Sequence, residues 1–252
     1  MEVDIPDEVL DGVADLVARS RCTVALTGAG ISTASGIPDF RGPQGLWRTV
    51  DSDKFDIAYF RRSPDEVWDL FRLLFTPLLA AVPNPAHYAL ARLEEAGKLC
   101  AVVTQNVDGL HQRAGSRRVV ELHGSLKDAV CTKCGARLPL ADVVKGRGAP
   151  RCPLCGGVLK PDVVFFGEPL PRGALEEALE LAETSDVFLA VGTSLTVYPA
   201  NTLPLRAKRQ GAKLVIINAE ETALDHLADY VVRGRAEVVL PKLAERVLNT
   251  LS

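Results

Sequence analysis

Apolar side chains along this chain follow two alternating periods. Residues 6–20 place valines and leucines on one helical stripe, and the short β-rich run 22–27 follows directly. Similar apolar runs recur further on, and helical patterns at 85–96 and 199–210 separate several of them. Strands that alternate with helices predict an α/β fold with a doubly wound parallel sheet. The later strand-like runs are 99–104, 119–122, 186–191 and 213–217.

Two stretches interrupt this alternation. Residues 42–83 contain a helical pattern around 67–79, and residues 129–159 contain four cysteines. Both are predicted to be insertions that together form a smaller second domain. The sheet domain is then predicted to comprise residues 1–41, 84–128 and 160–252.

Two Cys-x-x-Cys pairs lie in the second insertion, and a glycine follows each pair. Two such knuckles supply four thiolates for one tetrahedral zinc ion, and no nearby histidine is left for catalysis, which predicts a structural zinc ribbon. The alternative is two reduced pairs without metal. Cys22 and Cys100 lie in apolar runs, where small buried packing is expected. The predicted zinc ligands are Cys131, Cys134, Cys152 and Cys155.

The composition limits the classes of partner. The chain has 252 residues, 47% of them hydrophobic, which suffices for a sizeable core. Its 29 basic and 32 acidic residues give a net charge of -3, so nucleic acid is not expected as a direct partner. No apolar stretch approaches the roughly 20 residues that cross a bilayer, and acids stand where a signal peptide carries bases. A cytoplasmic protein without membrane contact is expected.

A polar cluster follows each of the five strand-like runs. Any one cluster alone is better explained as a helix N-cap, which favours serine and asparagine. Five together predict one shared pocket, because the carboxyl ends of parallel strands meet at a single ligand-binding edge. The clusters are Gly28-Ala29-Gly30-Ile31-Ser32, Gln105-Asn106-Val107-Asp108, His123-Gly124-Ser125, Gly192-Thr193-Ser194 and Asn218-Ala219-Glu220.

The first cluster points to a dinucleotide. Gly28 and Gly30 would let the backbone approach a pyrophosphate at the start of a helix. The G-x-G-x-x-G fingerprint is incomplete, because Thr33 holds its third glycine position. No acidic residue is well placed for a ribose at the end of a second strand about 20 positions on, since Asp39 comes too early and lies in a loop. Hydride transfer is therefore disfavoured, while dinucleotide binding is retained. In the next loop, Arg41 would hold phosphate and Phe40 would shield a reactive sugar from water.

These motifs, in this order, resemble the signature motifs of sirtuins, which are NAD-dependent protein deacylases. The resemblance extends through residues 36–42 and 160–168 and covers nearly the whole chain, with the short form of archaeal and bacterial members. It implies a Rossmann-like NAD domain and a small domain with one structural zinc. It also implies a reaction in which the acyl-lysine carbonyl oxygen attacks the nicotinamide ribose. NAD is then consumed, and nicotinamide and O-acyl-ADP-ribose are released.

The resemblance also assigns roles to residues. His123 is implied as the general base, Asn106 orients ribose and water, and Asp108 binds the nicotinamide carboxamide. The substrate peptide is expected to pair as an added strand between two edges. The NAD-binding residues implied are Gly28, Ala29, Gly30, Ile31, Ser32, Asp39, Phe40, Arg41, Trp47, Gln105, Asn106, Val107, Asp108, His123, Gly192, Thr193, Ser194, Asn218, Ala219, Glu220 and Ala236. The substrate-binding residues implied are Val163, Phe165, Gly167, Glu168, Leu195, Val197 and Tyr198.

The sequence also predicts which acyl groups the site accepts. Sirtuins that prefer succinyl or malonyl lysine carry a Tyr-x-x-Arg pair, and a local alignment puts Phe71 and Leu74 at those positions. A charged acyl group would be desolvated without a partner, so acetyl or a longer apolar acyl group is predicted. The expected partner is an acetylated lysine peptide or protein. By resemblance to archaeal members, the chromatin protein Alba is a candidate, which would connect the enzyme to transcription regulation.

Three other functions stay open. A protein nucleophile that traps the activated ribose would make the chain a mono-ADP-ribosyltransferase. If His123 is dispensable, the chain is a non-catalytic NAD or ADP-ribose binding module. A zinc-ribbon nucleic-acid protein is the third alternative, and the acidic net charge disfavours it.

Overall fold

Nine strands form two sheets in the computed structural model, which describes residues 6–39 and 45–251 without the side chains of Trp47 and Pro77. In chain order the strands are β1 (Thr23–Thr27), β2 (Ala101–Thr104), β3 (Val119–Glu121), β4 (Gly124–Cys131), β5 (Arg137–Pro139), β6 (Leu159–Val163), β7 (Val187–Val191), β8 (Lys213–Asn218) and β9 (Tyr230–Arg233). The central sheet has six strands in the order β3-β2-β1-β7-β8-β9, and all neighbours are parallel.

Helices cover both faces of the central sheet. In chain order the α-helices of the described residues are α1 (Asp7–Arg19), α2 (Ile57–Arg62), α3 (Pro64–Phe75), α4 (Pro85–Glu95), α5 (Leu110–Arg113), α6 (Leu140–Val143), α7 (Arg172–Thr184), α8 (Leu203–Arg209) and α9 (Ala236–Leu251). Helices α1, α4 and α9 pack on one face, and α7 and α8 pack on the other. Along β1, Ala25 faces the first layer, while Val24 and Leu26 face the second. This burial on both faces explains the apolar strands and confirms the predicted doubly wound fold.

The strand order reverses at β1. From β1 the chain moves outward to β2 and β3, and it later returns to the other side of β1 to form β7, β8 and β9. Such a reversal leaves a crevice outside the carboxyl ends of the two strands that flank it. The fold therefore places a binding crevice above β1 and β7.

The two insertions share one core. Strands β5, β4 and β6 form an antiparallel sheet in that order, and helix α3 packs against it. Trp68 of α3 is fully buried and donates its indole N–H to the Leu159 carbonyl of β6 at 2.7 Å. The helical and four-cysteine segments thus pack as a unit, while the domain boundaries given above remain a prediction.

Some elements of the central domain differ from the expectation. The helix expected after β1 is a 3₁₀ helix, Ala29–Ser35. Strand β9 and helix α9 are absent from the predicted elements, because β9 has only four residues and Pro241 interrupts the helical pattern of α9. None of the helices in the described part of the chain combines the length and apolarity that a bilayer crossing requires.

Cys22 and Cys100 pack against the second hydrophobic layer as expected, but the prediction that they are buried is wrong. Both residues are half-buried, and they form a disulfide with Cα atoms 5.4 Å apart. The parallel pairing of β1 and β2 places them side by side, since the Cys100 amide donates to the Thr23 carbonyl at 2.8 Å. A separation of 78 residues hides this neighbourhood in the sequence.

Candidate active site

A cavity of about 1080 Å³ lies at the carboxyl edge of the central sheet. Each of the five predicted polar clusters contributes to its lining, with Gly28, Gln105, His123, Gly192 and Asn218 as examples. Neighbouring parallel strands end in these clusters, so the strand order itself gathers them. A cavity of this size can hold a dinucleotide together with a substrate side chain.

Most predicted site residues line this cavity. They are Gly28, Ala29, Gly30, Asp39, Gln105, Asn106, Val107, His123, Val163, Phe165, Gly167, Glu168, Gly192, Thr193, Ser194, Val197, Tyr198, Asn218, Ala219, Glu220 and Ala236. Three others cannot be placed: Phe40 and Arg41 lie outside the described residues, and so does the side chain of Trp47.

Four predicted residues do not line the cavity. Ile31 and Leu195 are buried in the two hydrophobic layers of the sheet domain. Ser32 and Asp108 are joined to each other by a hydrogen bond of 2.7 Å from the Ser32 hydroxyl to the Asp108 carboxylate. Their place is in the polar network that supports the lining residues.

Glycines bring the ends of β1 and β7 into backbone contact. The Gly30 amide donates to the Gly192 carbonyl at 2.9 Å. A Cβ atom built on Gly28 or on Gly30 would stand 2.8 Å from the Gly192 backbone, closer than real Cβ contacts allow. The glycines expected to approach a pyrophosphate therefore have a second role, because any side chain would separate the two strand ends that carry the cavity.

Two amide side chains connect the strand ends. Gln105 donates to the Thr193 hydroxyl at 3.0 Å. The Asn106 side chain donates to the Gly28 carbonyl at 3.1 Å and to the Ser32 hydroxyl at 3.2 Å. Because both contacts use Nδ2, the amide oxygen of Asn106 remains to accept a hydrogen bond from a ligand or water.

The His123 ring is oriented by the backbone. It is half-buried in the cavity wall, and Nδ1 lies 3.0 Å from the Gln105 carbonyl oxygen. A carbonyl only accepts hydrogen bonds, so the neutral ring carries its proton on Nδ1 and Nε2 is the basic nitrogen. A ring sealed among apolar side chains would be useless for proton transfer, and His123 is not in that position.

Two further histidines lie behind the cavity, and no sequence signal marks them. His87 and His111 are fully buried, with ring centroids 5.0 Å apart. Nε2 of His87 lies 3.4 Å from the Ser32 hydroxyl, and Nε2 of His111 lies 2.9 Å from the Thr27 hydroxyl. Burial lowers the pKa of both rings, to about 4 for His87 and about 3 for His111. They are thus neutral parts of the network that holds Ser32.

One end of the cavity is aromatic. Phe55, Phe71, Phe75 and Phe165 line it together with Val107. The rings contact one another, with Phe71 and Phe75 stacked at 4.7 Å and Phe55 edge-on to Phe165 at 5.7 Å. Among the described residues, the charge recorded against these four rings is the Lys160 ammonium, 4.4 Å from the centre of the Phe165 ring, and it is already paired with Glu168 at 3.0 Å. This region was only partly foreseen, because Phe55 and Phe75 come from the insertion and no local motif singles them out.

An ion pair shapes the segment after β6. The Lys160 ammonium lies 3.0 Å from the Glu168 carboxylate and donates to the Val163 carbonyl at 2.6 Å. Glu168 also accepts the Phe165 amide at 2.8 Å. Burial lowers the pKa of Lys160, and Glu168 opposes that shift. The segment is thereby held as a turn beside the cavity.

The four cysteines of the small domain converge. Their sulfur atoms all lie within 4.8 Å of one another, with Cys131 and Cys155 at 3.5 Å and Cys134 and Cys152 at 3.7 Å. Tetrahedral thiolates at the usual Zn–S bond length are about 3.8 Å apart. The Cys134 and Lys133 amides donate to the Cys131 sulfur, which lowers the pKa of that thiol to about 6 and favours the thiolate a metal requires. The cluster fits the predicted structural zinc ion.

The sequence and the structure both match known proteins. The Sir2 family model matches residues 28–199. The chain is 66% identical to NAD-dependent protein deacetylase 1 of Pyrobaculum aerophilum over 100% of both proteins. It is 47% identical to an NAD-dependent protein deacylase of Thermococcus kodakarensis, covering 97% of this chain and 98% of the relative.

Solved structures agree. A structure described as the basis for the mechanism and regulation of Sir2 enzymes matches with a TM-score of 0.91 at 47% identity, covering 97% of this chain and 99% of that chain. A complex of Sir2 with p53 peptide and NAD+ matches with a TM-score of 0.85 at 44% identity, covering 94% and 95%. The chain belongs to the Sir2 family.

Proposed function

We propose that this protein is an NAD-dependent protein lysine deacetylase. The acetyl-lysine carbonyl oxygen attacks the anomeric carbon of the nicotinamide ribose, and nicotinamide leaves. A ribose hydroxyl, deprotonated by His123, then attacks the acyl carbon, and water releases free lysine and O-acetyl-ADP-ribose. Relatives named NAD-dependent protein deacetylase support this assignment, as does a similar Sir2 structure described with deacetylated p53 peptide and 3'-O-acetyl ADP ribose.

The observation that carries the proposal is the 3.0 Å contact between His123 Nδ1 and the Gln105 carbonyl oxygen, in the wall of the cavity. Nδ1 is held by the Gln105 carbonyl, so Nε2 is the nitrogen that accepts a proton. The ring belongs to the cavity lining, where a bound sugar would lie. Histidine is the side chain most often used as a general base at neutral pH.

The surrounding residues support binding of NAD. Asn106 keeps its amide oxygen as an acceptor for a ribose hydroxyl or water. The Gly28 and Gly192 segments supply backbone at close quarters, and Asn218 and Glu220, which also line the cavity, are assigned to the adenosine half of NAD. Asp108 accepts a hydrogen bond from the Ser32 hydroxyl, which in turn accepts one from Asn106. Its carboxylate is proposed to bind the nicotinamide carboxamide when NAD enters.

The aromatic end favours an uncharged acyl group. Phe71 lines the cavity at the position where a phenol would be needed to receive a succinyl carboxylate, while Leu74 is not part of the lining. A carboxylate placed among Phe71, Phe75 and Phe165 would lose its water, and the ammonium beside Phe165, that of Lys160, is already paired with Glu168. Acetyl-lysine, or lysine with a longer apolar acyl chain, is the proposed substrate. A basic chromatin protein of the Alba type is a candidate carrier of that lysine.

Product analysis tests the reaction. The protein is incubated with NAD and matched acetyl-lysine and succinyl-lysine peptides, and the products are identified by mass. Nicotinamide, free lysine peptide and O-acetyl-ADP-ribose are expected from the acetyl peptide alone. His123→Ala should lower kcat by about 10² to 10⁴-fold, the usual contribution of a general base. The matched control is His226→Ala, since His226 is exposed and outside the cavity lining.

Other outcomes identify the alternatives. Release of nicotinamide with an unacetylated protein, together with a mass gain on that protein, would establish ADP-ribosylation instead. NAD binding without turnover, equal in wild type and His123→Ala, would identify a binding module. Equal kcat/KM on succinyl and acetyl peptides would leave deacylation standing but reject the assignment of Phe71.

A further inference from the structure

Two faces of helix α3 contact different parts of the molecule. The inner face carries Phe71 and Phe75, which line the aromatic end of the cavity. The outer face carries Asp65, Asp69 and Arg72, which contact residues 144–149 of the four-cysteine segment. Phe71 and Arg72 are consecutive residues of α3. A shift of the helix backbone at Arg72 therefore also shifts Phe71 and changes the aromatic end of the cavity.

All three nitrogen atoms of the Arg72 guanidinium group donate hydrogen bonds. Nε donates to the Val144 carbonyl at 2.7 Å, and Nη2 donates to the Gly148 carbonyl at 2.6 Å. Nη1 donates to Asp69 at 2.8 Å, and the guanidinium carbon lies 5.3 Å from the Trp68 ring centre. The side chain is only 14% exposed, so these bonds are weakly screened by water.

The acids of α3 bind the other side of the same loop. Asp69 accepts the Gly148 amide at 3.0 Å, and Asp65 accepts the Ala149 amide at 2.7 Å. The loop leads within a few residues to Cys152, one of the four converging cysteines. Helix α3 is therefore fixed to the loop by both backbone donors and backbone acceptors.

We propose that Arg72 is a positioning residue for the acyl group: it fixes Phe71 and Phe75 by clamping α3 to the loop that the cysteine cluster holds. Arg72 itself is not part of the cavity lining. Its loss leaves the Val144 and Gly148 carbonyls without their charged donor, and α3 keeps only the Asp65 and Asp69 bonds to the loop. The effect is confined to the aromatic end of the cavity, because Gly28, Gly192 and Asn218 stand at the strand ends of the central sheet. The inference deepens the proposed function and rests on it.

The test compares Arg72→Met, Arg72→Lys and the matched control Arg62→Met. Arg62 lies in the same domain, is exposed, and stacks over Tyr59 without binding the loop. The kcat/KM ratio for octanoyl-lysine over acetyl-lysine peptides should fall about tenfold in Arg72→Met, through KM, as expected for the loss of charge-assisted hydrogen bonds. The ratio for Arg72→Lys should lie between those of wild type and Arg72→Met. In every variant the KM for NAD should stay within about twofold of the wild-type value. General destabilisation would lower kcat for both peptides equally and leave the ratio unchanged.

Hydrogen exchange provides a second measurement that does not depend on turnover. Arg72→Met should speed amide exchange in residues 67–75 and 144–149 but not in α8. Removal of metal from the wild-type protein by a chelator should speed exchange in α3 in the same way. An unchanged acyl ratio, or unchanged exchange in α3, would refute the clamp even though wild-type deacetylation stands. A wild type inactive on every acyl peptide would refute the proposed function, and the exchange data would still decide the clamp.

Discussion

The buried histidine pair makes this protein sensitive to mild acid. His87 and His111 are 0% and 1% exposed. Burial lowers the pKa of His87 to about 4, while Asp108 opposes the shift, and burial lowers the pKa of His111 to about 3, with His87 adding to it. In the unfolded chain each histidine titrates near 6.5. At a pH between the folded and the unfolded pKa values, these two histidines are protonated in the unfolded state but not in the folded state.

The sign and size follow from this difference. Folding is not penalised by these residues above about pH 6.5, and the free energy of unfolding falls as the pH drops below it. Each histidine costs about 1.4 kcal/mol per pH unit, so the pair costs about 4 kcal/mol at pH 5. That is a large fraction of the 5 to 15 kcal/mol that stabilises a typical domain.

Urea unfolding between pH 5 and pH 6 measures the effect. His111→Gln keeps a polar contact to Thr27 but cannot be protonated, so the slope of the unfolding free energy against pH should drop by about 1.4 kcal/mol per unit. His226→Gln, at an exposed position, is the matched control and should leave the slope unchanged. Burial raises the pKa of Glu121, and this residue therefore changes the unfolding free energy with pH in the opposite direction. Because Glu121 is present in every variant, its contribution cancels when the slopes are compared. Equal slopes in wild type and His111→Gln would refute the reasoning.

Three further variants test the structure. Cys152→Ser should abolish the one-to-one zinc content measured by metal analysis and unfold the small domain, since apparent zinc binding energies are about 10 kcal/mol or more; a metal-free variant with unchanged melting would contradict this. Gly124→Ala should destabilise the protein by about 3 kcal/mol in urea, because Gly124 has φ +75° and a Cβ would collide with the Asp162 carbonyl; a loss below about 1 kcal/mol would refute it. Cys22→Ser should cost up to about 4.5 kcal/mol, the chain entropy of a loop of 78 residues, and reductant should lower the stability of wild type but not of the variant.

Much of the fold is written in local patterns. The alternation of helical and strand-like periods is enough for a doubly wound sheet, because burial on both faces demands apolar strands wherever the chain crosses the core. The polar clusters at the strand ends follow from the same rule, since parallel strands deliver their carboxyl ends to one edge. The cysteine pairs were equally readable, because a knuckle needs only two residues between its ligands. Each of these signals lies within a few residues of chain.

Only the tertiary structure shows which residues from distant segments are in contact. The bond that orients His123 spans 18 residues, the clamp from Arg72 to Val144 spans 72, and the Cys22–Cys100 disulfide spans 78. No periodicity encodes which of many polar side chains will meet across such distances, because packing of the whole core selects the partner. The same cause places neutral His87 against Ser32, where residue type alone would suggest an ordinary titrating histidine. Chemistry at this site therefore depends on burial, which is a property of the assembled layers and of no single stretch of chain.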